Sequence, residues 1–309
     1  TAYEIKECDW SSDVCSSDLA DCVGRPPKIL LACAGDQVQR FLEPVLRADM
    51  TWSFAITEPG SGSDAGAMKT RATPAPGGWH LNGTKHFISH GDASDVVIVI
   101  AKTAEDNLPT ALLVTHDTPG FTTGRIHPKM GWRGYPVAEL QFKDAFVPAG
   151  NVLGKPGDGL RLGLKQIGEA RIGVAAHCVG MAQRALDYVT EHVKVRNQFG
   201  QPLAKFQGLQ WMLADMAMQR DAARLLTYRG IETLMRGERG SLEAAMAKLS
   251  ATEALGRVVD AAVQIHGGMG YMREAGIETV FRDARVTRIY EGTSEIQRNI
   301  IARELLKDI

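Results

Sequence analysis

The stretch RIGVAAHCVGMAQRALDYV, residues 171–189, decides how the second half of this chain folds. Val174, Cys178, Met181, Ala185 and Val189 recur three or four apart, which lays one apolar stripe along a helix. A half-buried strand would alternate instead. Two later stretches repeat the texture: LQWMLADMAMQRDAARLLTYRGIETLM (209–235) and SLEAAMAKLSATEALGRVVDAAVQIHGG (241–268) are long, amphipathic and rich in Ala and Leu. Three or four such helices joined by short connections predict an antiparallel four-helix-type bundle over 156–309.

Upstream, 51–155 reads as a β domain. VVIVIA (96–101) predicts a buried strand, ALLVTH (111–116) another, and AELQF (138–142) alternates Ala138, Leu140 and Phe142 to one face. Residues 20–50 read as the end of a helical region, because AGDQVQRFLEPVL places Val38, Phe41, Leu42 and Leu46 near helical spacing. The expected fold class is α+β multidomain: the end of a helical region, a central β domain of barrel or sandwich type, and a C-terminal bundle. No short-period repeat or low-complexity tract interrupts this order.

Residues 1–19, TAYEIKECDWSSDVCSSDL, follow neither period. Back-translated in frame, they match a high-throughput sequencing adapter interrupted by a barcode-sized gap. They are expected to be a non-native scar, which places the true start of the gene elsewhere. Removing Lys6 takes Lys+Arg from 35 to 34, and removing Glu4, Glu7, Asp9, Asp13 and Asp18 takes Asp+Glu from 36 to 31, so the net charge moves from −1 to +3. That balance argues against nucleic acid or an anionic membrane as the main partner. Cys22, Cys33 and Cys178 are left, too far apart for a disulfide framework and suited to a reducing compartment. VVIVIA, the longest apolar run, is far too short to span a bilayer.

Four motifs carry possible chemistry. TEPGSGSDAG (57–66) suggests a dinucleotide fingerprint, but strand and turn formers follow where that motif needs a helix. Its backbone N–H groups, with Ser61 or Ser63, could still cradle a phosphate, or the loop could be a bare turn. QIHGGMGY (264–271) ends a helix in glycines, and a C-cap accounts for them. His266 there lacks a second ligand at metal spacing, so no metal is expected. In KVRNQFGQP (194–202), Arg196 is either a solvated charge or a phosphate clamp. IYEGTSEIQ (289–297) holds Glu291, by spacing alone either a solvated loop acid or a base.

Taken in order, ITEPGSGSD, LNGTKHFIS, RIGVAAHCVGMAQRALDY, RNQFGQPLAKFQ, QIHGGMGY and RIYEGTSEIQR resemble the acyl-CoA dehydrogenases, flavoenzymes of fatty-acid and amino-acid breakdown. The resemblance runs from about residue 28 to the C-terminus, and it implies that 20–50 is the remnant of an N-terminal helical domain, followed by a central β domain and a C-terminal four-helix bundle. It implies FAD-dependent α,β-dehydrogenation of an acyl-CoA thioester to the trans-2-enoyl-CoA. A carboxylate must remove a weakly acidic α-hydrogen in a dry pocket, while hydride leaves the β-carbon for the flavin. By resemblance Glu291 is that base, with its own backbone N–H polarising the thioester oxygen. Some relatives carry the base just before the arginine of the RIGVAA helix. That residue here is Ala170, and Glu169, one step back, points about 100° away.

The same matching assigns Phe54, Ile56 and Thr57 to the isoalloxazine edge, and Gly62 and Ser63 to the pyrophosphate. Phe87 stands where relatives usually have tryptophan, and Ser89 where they have threonine. Arg196, Gln198, Phe199, Phe206, Gln207, Gln264, Ile265, Gly267 and Gly268 are expected to meet the ADP half from a neighbouring subunit, while Thr293 and Glu295 close the site. Ser63, Arg171, Tyr290 and Gly292 are the substrate-side residues. Relatives often place aspartate three before the arginine, where this chain has Gly168. The implied partners are acyl-CoA, electron-transferring flavoprotein as electron acceptor, and further copies of the chain as homodimer or homotetramer. The implied compartment is the cytoplasm of a prokaryote, or the mitochondrial matrix in a eukaryote. Three rivals share the motifs: an acyl-CoA oxidase, a DNA-binding flavoprotein relative, and a cofactor-free remnant.

Overall fold

The computed structural model describes residues 27–103 and 107–307, so the proposed scar lies outside the described residues. The chain divides into two compact units, one running to Gln166 and the other from Ile167.

The first unit is built on a mixed sheet: β1 (Trp52–Ala55), β2 (Arg71–Ala75), β3 (Gly78–Ser89), β4 (Val96–Thr103), β5 (Pro109–Thr115), β6 (Phe121–Ile126), β7 (Val137–Pro148) and β8 (Val152–Leu153). Its path is β6-β7-β3-β2-β4-β5-β8, with β1 pairing β4 in parallel. All six residues of VVIVIA are fully buried in β4, and Ala138, Leu140 and Phe142 turn inward along β7 as their alternation requires. Val97, Val99 and Ala101 join Ala138, Leu140 and Phe142 in one apolar cluster with Leu81, Ile88, Leu112 and Val114.

Before the sheet, Lys28–Ala32 forms a 3-10 turn, Val38–Leu42 a π-helical turn, and α1 (Glu43–Leu46) one α-helical turn. Phe41 is buried as expected, but Val45 rather than Leu46 faces inward, and Leu46 is half exposed. The wider turn explains the shift: Pro44 has no N–H to donate and its ring crowds the carbonyl four residues back, so the backbone loosens and the stripe slips by one position. Gln37 ties this segment to the β7–β8 corner, donating to the carbonyls of Gly150 at 2.8 Å and Val152 at 2.7 Å.

Helix α2 (Gly159–Val195) begins in the first unit, where a Cβ at Gly159 would lie 2.5 Å from the Thr110 carbonyl carbon. Only glycine allows that approach.

The second unit holds the rest of α2, the hairpin β9 (Asn197–Gln198)–β10 (Gln201–Pro202), α3 (Gln207–Met235), α4 (Ser241–His266), α5 (Ile277–Ala284) and α6 (Ser294–Leu305). The stripe read at 174–189 is inside: Cys178, Ala185 and Val189 are fully buried and pack with Ala223 of α3 and Ala251, Leu255 and Val258 of α4. Small residues on α4 allow close helix approach, and the unit's stability comes from this shared apolar face rather than from helix propensity.

Candidate active site

In the first unit, the glycine-rich loop after β1 is organised by a buried ion pair absent from the sequence expectations. The Glu58 carboxylate accepts from Lys85 Nζ at 2.8 Å, Lys69 N at 2.6 Å and Thr70 N at 3.0 Å. Lys85 is fully buried and also donates to the Ile56 carbonyl at 3.1 Å. Burial alone would raise the Glu58 pKa, but the hydrogen bonds from Lys85, Thr70 and Lys69 outweigh it and hold the carboxyl below its usual range. So anchored, the loop turns at a bridge between Glu58 and Ser61, and Ser61 Oγ donates to the Asp64 carbonyl at 2.6 Å.

The neighbouring strand supplies an aromatic surface. The register of β3 on β7 shifts between Lys85 and Ile88, and Phe87 sits at φ 58° with 61% of its surface exposed. The bulge re-aims Phe87 out of the ladder. His86 N donates to the Thr57 carbonyl at 2.8 Å, and Ser53 Oγ to the Ser89 carbonyl at 2.7 Å. Phe54, Ile56, Thr57, Phe87 and Ser89 therefore come together at one edge, although Ile56 is largely buried. A Cβ at Gly60 or Gly62 would meet nothing within 4 Å, so the loop backbone faces open space. An exposed aromatic face beside hydroxyls and an open glycine loop fits a flat heteroaromatic ring carrying a pyrophosphate. Phe87 stacks on His86, which neighbours His127 at 4.6 Å between ring centroids.

In the second unit, Phe199 and Gly200 both have positive φ, 53° and 78°, at the tip of the β9–β10 hairpin, the backbone of a type I′ turn. Phe199 is 93% exposed and touches Phe206 edge-on. Arg196 and Gln198 flank this tip, both exposed, and Gln207 opens α3. Gln264 and Ile265 lie in the last turn of α4, before Gly267 at φ 61° and Gly268. The Ile265 side chain is committed to the bundle core. His266 stacks on His192 at 4.2 Å, and its Nδ1 lies 2.8 Å from the Ala262 carbonyl. Among the described residues, no group of three or more His, Cys, Asp or Glu could hold a metal, and no helix is long and apolar enough to cross a membrane.

Glu291 occupies the loop between the 3-10 turn Arg285–Arg288 and α6, at φ 53° with Gly292 at φ 86°. Its Oε2 is shielded from solvent. Left-handed backbone at a glutamate is strained, and such strain persists only where surroundings over-determine it. They do here. Arg171 Nε donates to the Glu291 carbonyl at 3.3 Å, Gln297 Nε2 reaches the same oxygen at 3.1 Å and the Gly292 carbonyl at 2.8 Å, and Lys248 Nζ donates to Gly292 O at 2.8 Å. A Cβ at Gly292 would stand at φ 86° and lie 2.8 Å from Gln297 Nε2, so a side chain there would be strained and would displace the Gln297 amide.

Arg171, expected on the substrate side, is thus buried against the Glu291 backbone, and burial depresses its pKa despite the nearby Glu291 charge. Tyr290 packs partly against the core, Thr293 Oγ caps Ile296 N at 3.4 Å, and Glu295 is exposed on the first turn of α6. Lys248, Gln297, Glu58 and Lys85 were missed from sequence. Lys248 carried a legible signal, since it interrupts the buried α4 stripe formed by Ala244, Ala247, Ala251 and Leu255.

Comparison with known proteins now bears on the site. The middle domain of acyl-CoA dehydrogenases matches residues 53–145, and the C-terminal domain matches 157–306. An acyl-CoA dehydrogenase of Bacillus subtilis is 43% identical over 88% of this chain and 72% of its own length. The mouse mitochondrial short-chain specific acyl-CoA dehydrogenase is 42% identical over 90% of this chain and 68% of its own length. The butyryl-CoA dehydrogenase structure from Megasphaera elsdenii superimposes with a TM-score of 0.90 at 39% identity, covering 94% of this chain and 77% of that one. A protein so matched is an oxidoreductase of the FAD-dependent class. The chain belongs to the acyl-CoA dehydrogenase family.

Proposed function

We propose that this chain dehydrogenates a short-chain acyl-CoA thioester to its trans-2-enoyl product, with Glu291 as the base that removes the α-proton. The observation carrying this reading is the loop at 290–293, where a glutamate is held in left-handed backbone by three buried donors with one carboxylate oxygen shielded from water. A surface acid needs no such apparatus. A base that must meet one carbon-bound proton does, because small displacements of a catalytic group cost rate steeply. FAD, when bound, accepts the hydride leaving the β-carbon.

The chain's own residues divide the remaining tasks. Thr57, Gly62, Ser63, Phe87 and Ser89 hold the flavin ring and pyrophosphate; Arg196, Gln198, Phe199, Phe206, Gln207, Gln264, Ile265, Gly267 and Gly268 serve its ADP half, Ile265 through its backbone. The Glu291 amide polarises the thioester oxygen. Arg171 supports Glu291 from behind. The short-chain assignment draws on the mouse and Megasphaera relatives. Electron-transferring flavoprotein is the proposed acceptor, and the working form is a homo-oligomer. Trp211, Met218 and Leu225, seven residues apart on α3, are each more than 60% exposed, a stripe suited to a second copy.

The test is an anaerobic visible spectrum of the FAD-loaded protein titrated with short, medium, branched and aromatic acyl-CoAs. Butyryl-CoA is expected to bleach the oxidised flavin bands most readily. Glu291→Gln should lower the bleaching rate by about 10³-fold or more. Flavin that no acyl-CoA bleaches would overturn the substrate class, and a Gln variant that bleaches like the parent would overturn the base.

A further inference from the structure

We infer that Lys248 is a positioning residue for the reaction: its buried ammonium grips the Gly292 carbonyl and thereby holds Glu291 in the one backbone state that presents its carboxylate. The inference rests on the reading of Glu291 as base.

Lys248 is fully buried on α4, four residues before Thr252 and five before Glu253. All three face the loop that carries Glu291. Thr252 offers its carbonyl to Arg288 Nε at 3.5 Å, Glu253 accepts from Ser294 Oγ at 2.7 Å and pairs with Arg288 at 3.5 Å, and Lys248 reaches Gly292 O at 2.8 Å. One helix therefore fixes the segment on both sides of Glu291. Its neighbour α2 contributes Arg171, and α6 contributes the fully buried Gln297. Together these donors satisfy two consecutive carbonyls, that of Glu291 itself and that of Gly292.

A core lysine whose only task was to fill space would be better replaced by methionine, because burying an ammonium is costly without compensation. No carboxylate lies within ion-pair distance of Lys248 Nζ among the described residues' salt bridges, so its compensation is the loop carbonyl itself. The charged and titratable groups facing it are Arg171 and Cys178 on α2, Glu253 on α4, Glu291 on the loop and, at the exposed start of α6, Glu295. Burial pushes the Cys178 thiol up to about 12, so it stays neutral. Burial likewise brings the Lys248 ammonium down to about 8, against the partial support of Glu291 and Glu253. Above that pH the lysine keeps a neutral N–H donor, which bonds a carbonyl more weakly than the ammonium does.

The experiment compares Lys248→Met, Lys248→Arg and Glu291→Gln with the parent in two assays. In the FAD-loaded protein, Lys248→Met should lower kcat for butyryl-CoA by about 10- to 100-fold while KM stays within about threefold. Lys248→Arg should restore most of the rate, and should remove an alkaline fall in kcat that the parent shows as pH passes about 8. In the cofactor-free chain, hydrogen exchange followed by mass spectrometry should quicken in peptides covering 289–297 of Lys248→Met, and not in the β sheet. Parental kcat and parental exchange in Lys248→Met, with Glu291→Gln inactive, would overturn the positioning role and leave the base intact. Exchange quickened across the whole bundle would also overturn it, by showing a structural role. An active Glu291→Gln would instead remove the base reading and this inference with it.

Discussion

The two units each hold a candidate-site loop with a buried lysine, and they do it by opposite means. Lys85 meets a carboxylate: Glu58 pairs with it at 2.8 Å and collects two backbone N–H groups besides. Lys248 meets a carbonyl, and among the described residues no carboxylate stands at ion-pair distance from it. The first arrangement neutralises charge within the fold, so losing either partner strands the other in a dry interior. The second keeps a charge that the fold tolerates at a cost. On the proposed reading, the first loop only cradles a ligand and can be locked, whereas the second carries the base and must also be aimed.

The largest effect expected from this contrast is in the first unit. Glu58→Gln leaves the Lys85 ammonium buried without its counter-charge and should destabilise the β unit by about 3–5 kcal/mol, read by chemical denaturation. The Glu58 pKa is lowered in the folded state, so its contribution is present above the ordinary carboxylate pKa and fades as pH falls through the lowered value. A parent whose stability is flat through the acid range would break the claim that this pair locks the loop.

The second effect is smaller and opposite in sign. The folded Lys248 pKa is depressed to about 8 from an ordinary 10.5. Between those values the unfolded chain binds more protons than the native one, so the stability of the parent should rise with pH across that window, by about 1–3 kcal/mol at most. In Lys248→Met that rise should disappear, and at pH 7 the variant should be no less stable than the parent. Denaturant midpoints at pH 7, 8.5 and 10 decide it. A Met variant clearly weaker at pH 7 would mean that the carbonyl contact stabilises the fold more than burial of the charge costs.

This contrast was only half legible in the sequence. Periodicity located the buried faces well: Cys178, Ala185 and Val189 on α2, and every residue of VVIVIA in β4, are where their spacing puts them. Position along the chain also located Glu291 in a turn. What spacing could not supply is which polar groups meet across distant elements. Glu58 and Lys85 lie 27 residues apart, and Lys248 and Gly292 lie 44 apart. Nothing local forces either contact. Leu46 failed for a different reason, since Pro44 opened a π turn that moved the stripe by one residue. Arg171 was assigned to the substrate side by resemblance, yet its Nε contact with the Glu291 carbonyl follows only from the meeting of α2 and the loop. The motifs named candidate residues; the three-dimensional contacts show which of them support others.

The smallest expected effect tests how the Glu291 loop rejoins regular structure. Thr293 is the N-cap of α6, its hydroxyl accepting from Ile296 N at 3.4 Å, a long bond near the limit of useful geometry. Caps of this kind are worth about 0.5–2 kcal/mol, and a long one belongs at the lower end. Thr293→Ala should therefore cost about 0.5–1 kcal/mol in the cofactor-free chain, measured by thermal denaturation, with Thr293→Ser close to the parent. Exchange at 290–292 should barely change in Thr293→Ala, because Lys248, Gln297 and Arg171 hold those residues through carbonyls that the cap does not touch. If losing the cap loosened Glu291 as much as losing Lys248 did, the loop would be set by the start of α6 rather than by the buried donors. The contrast between a locked loop and an aimed one would then fail at its second member.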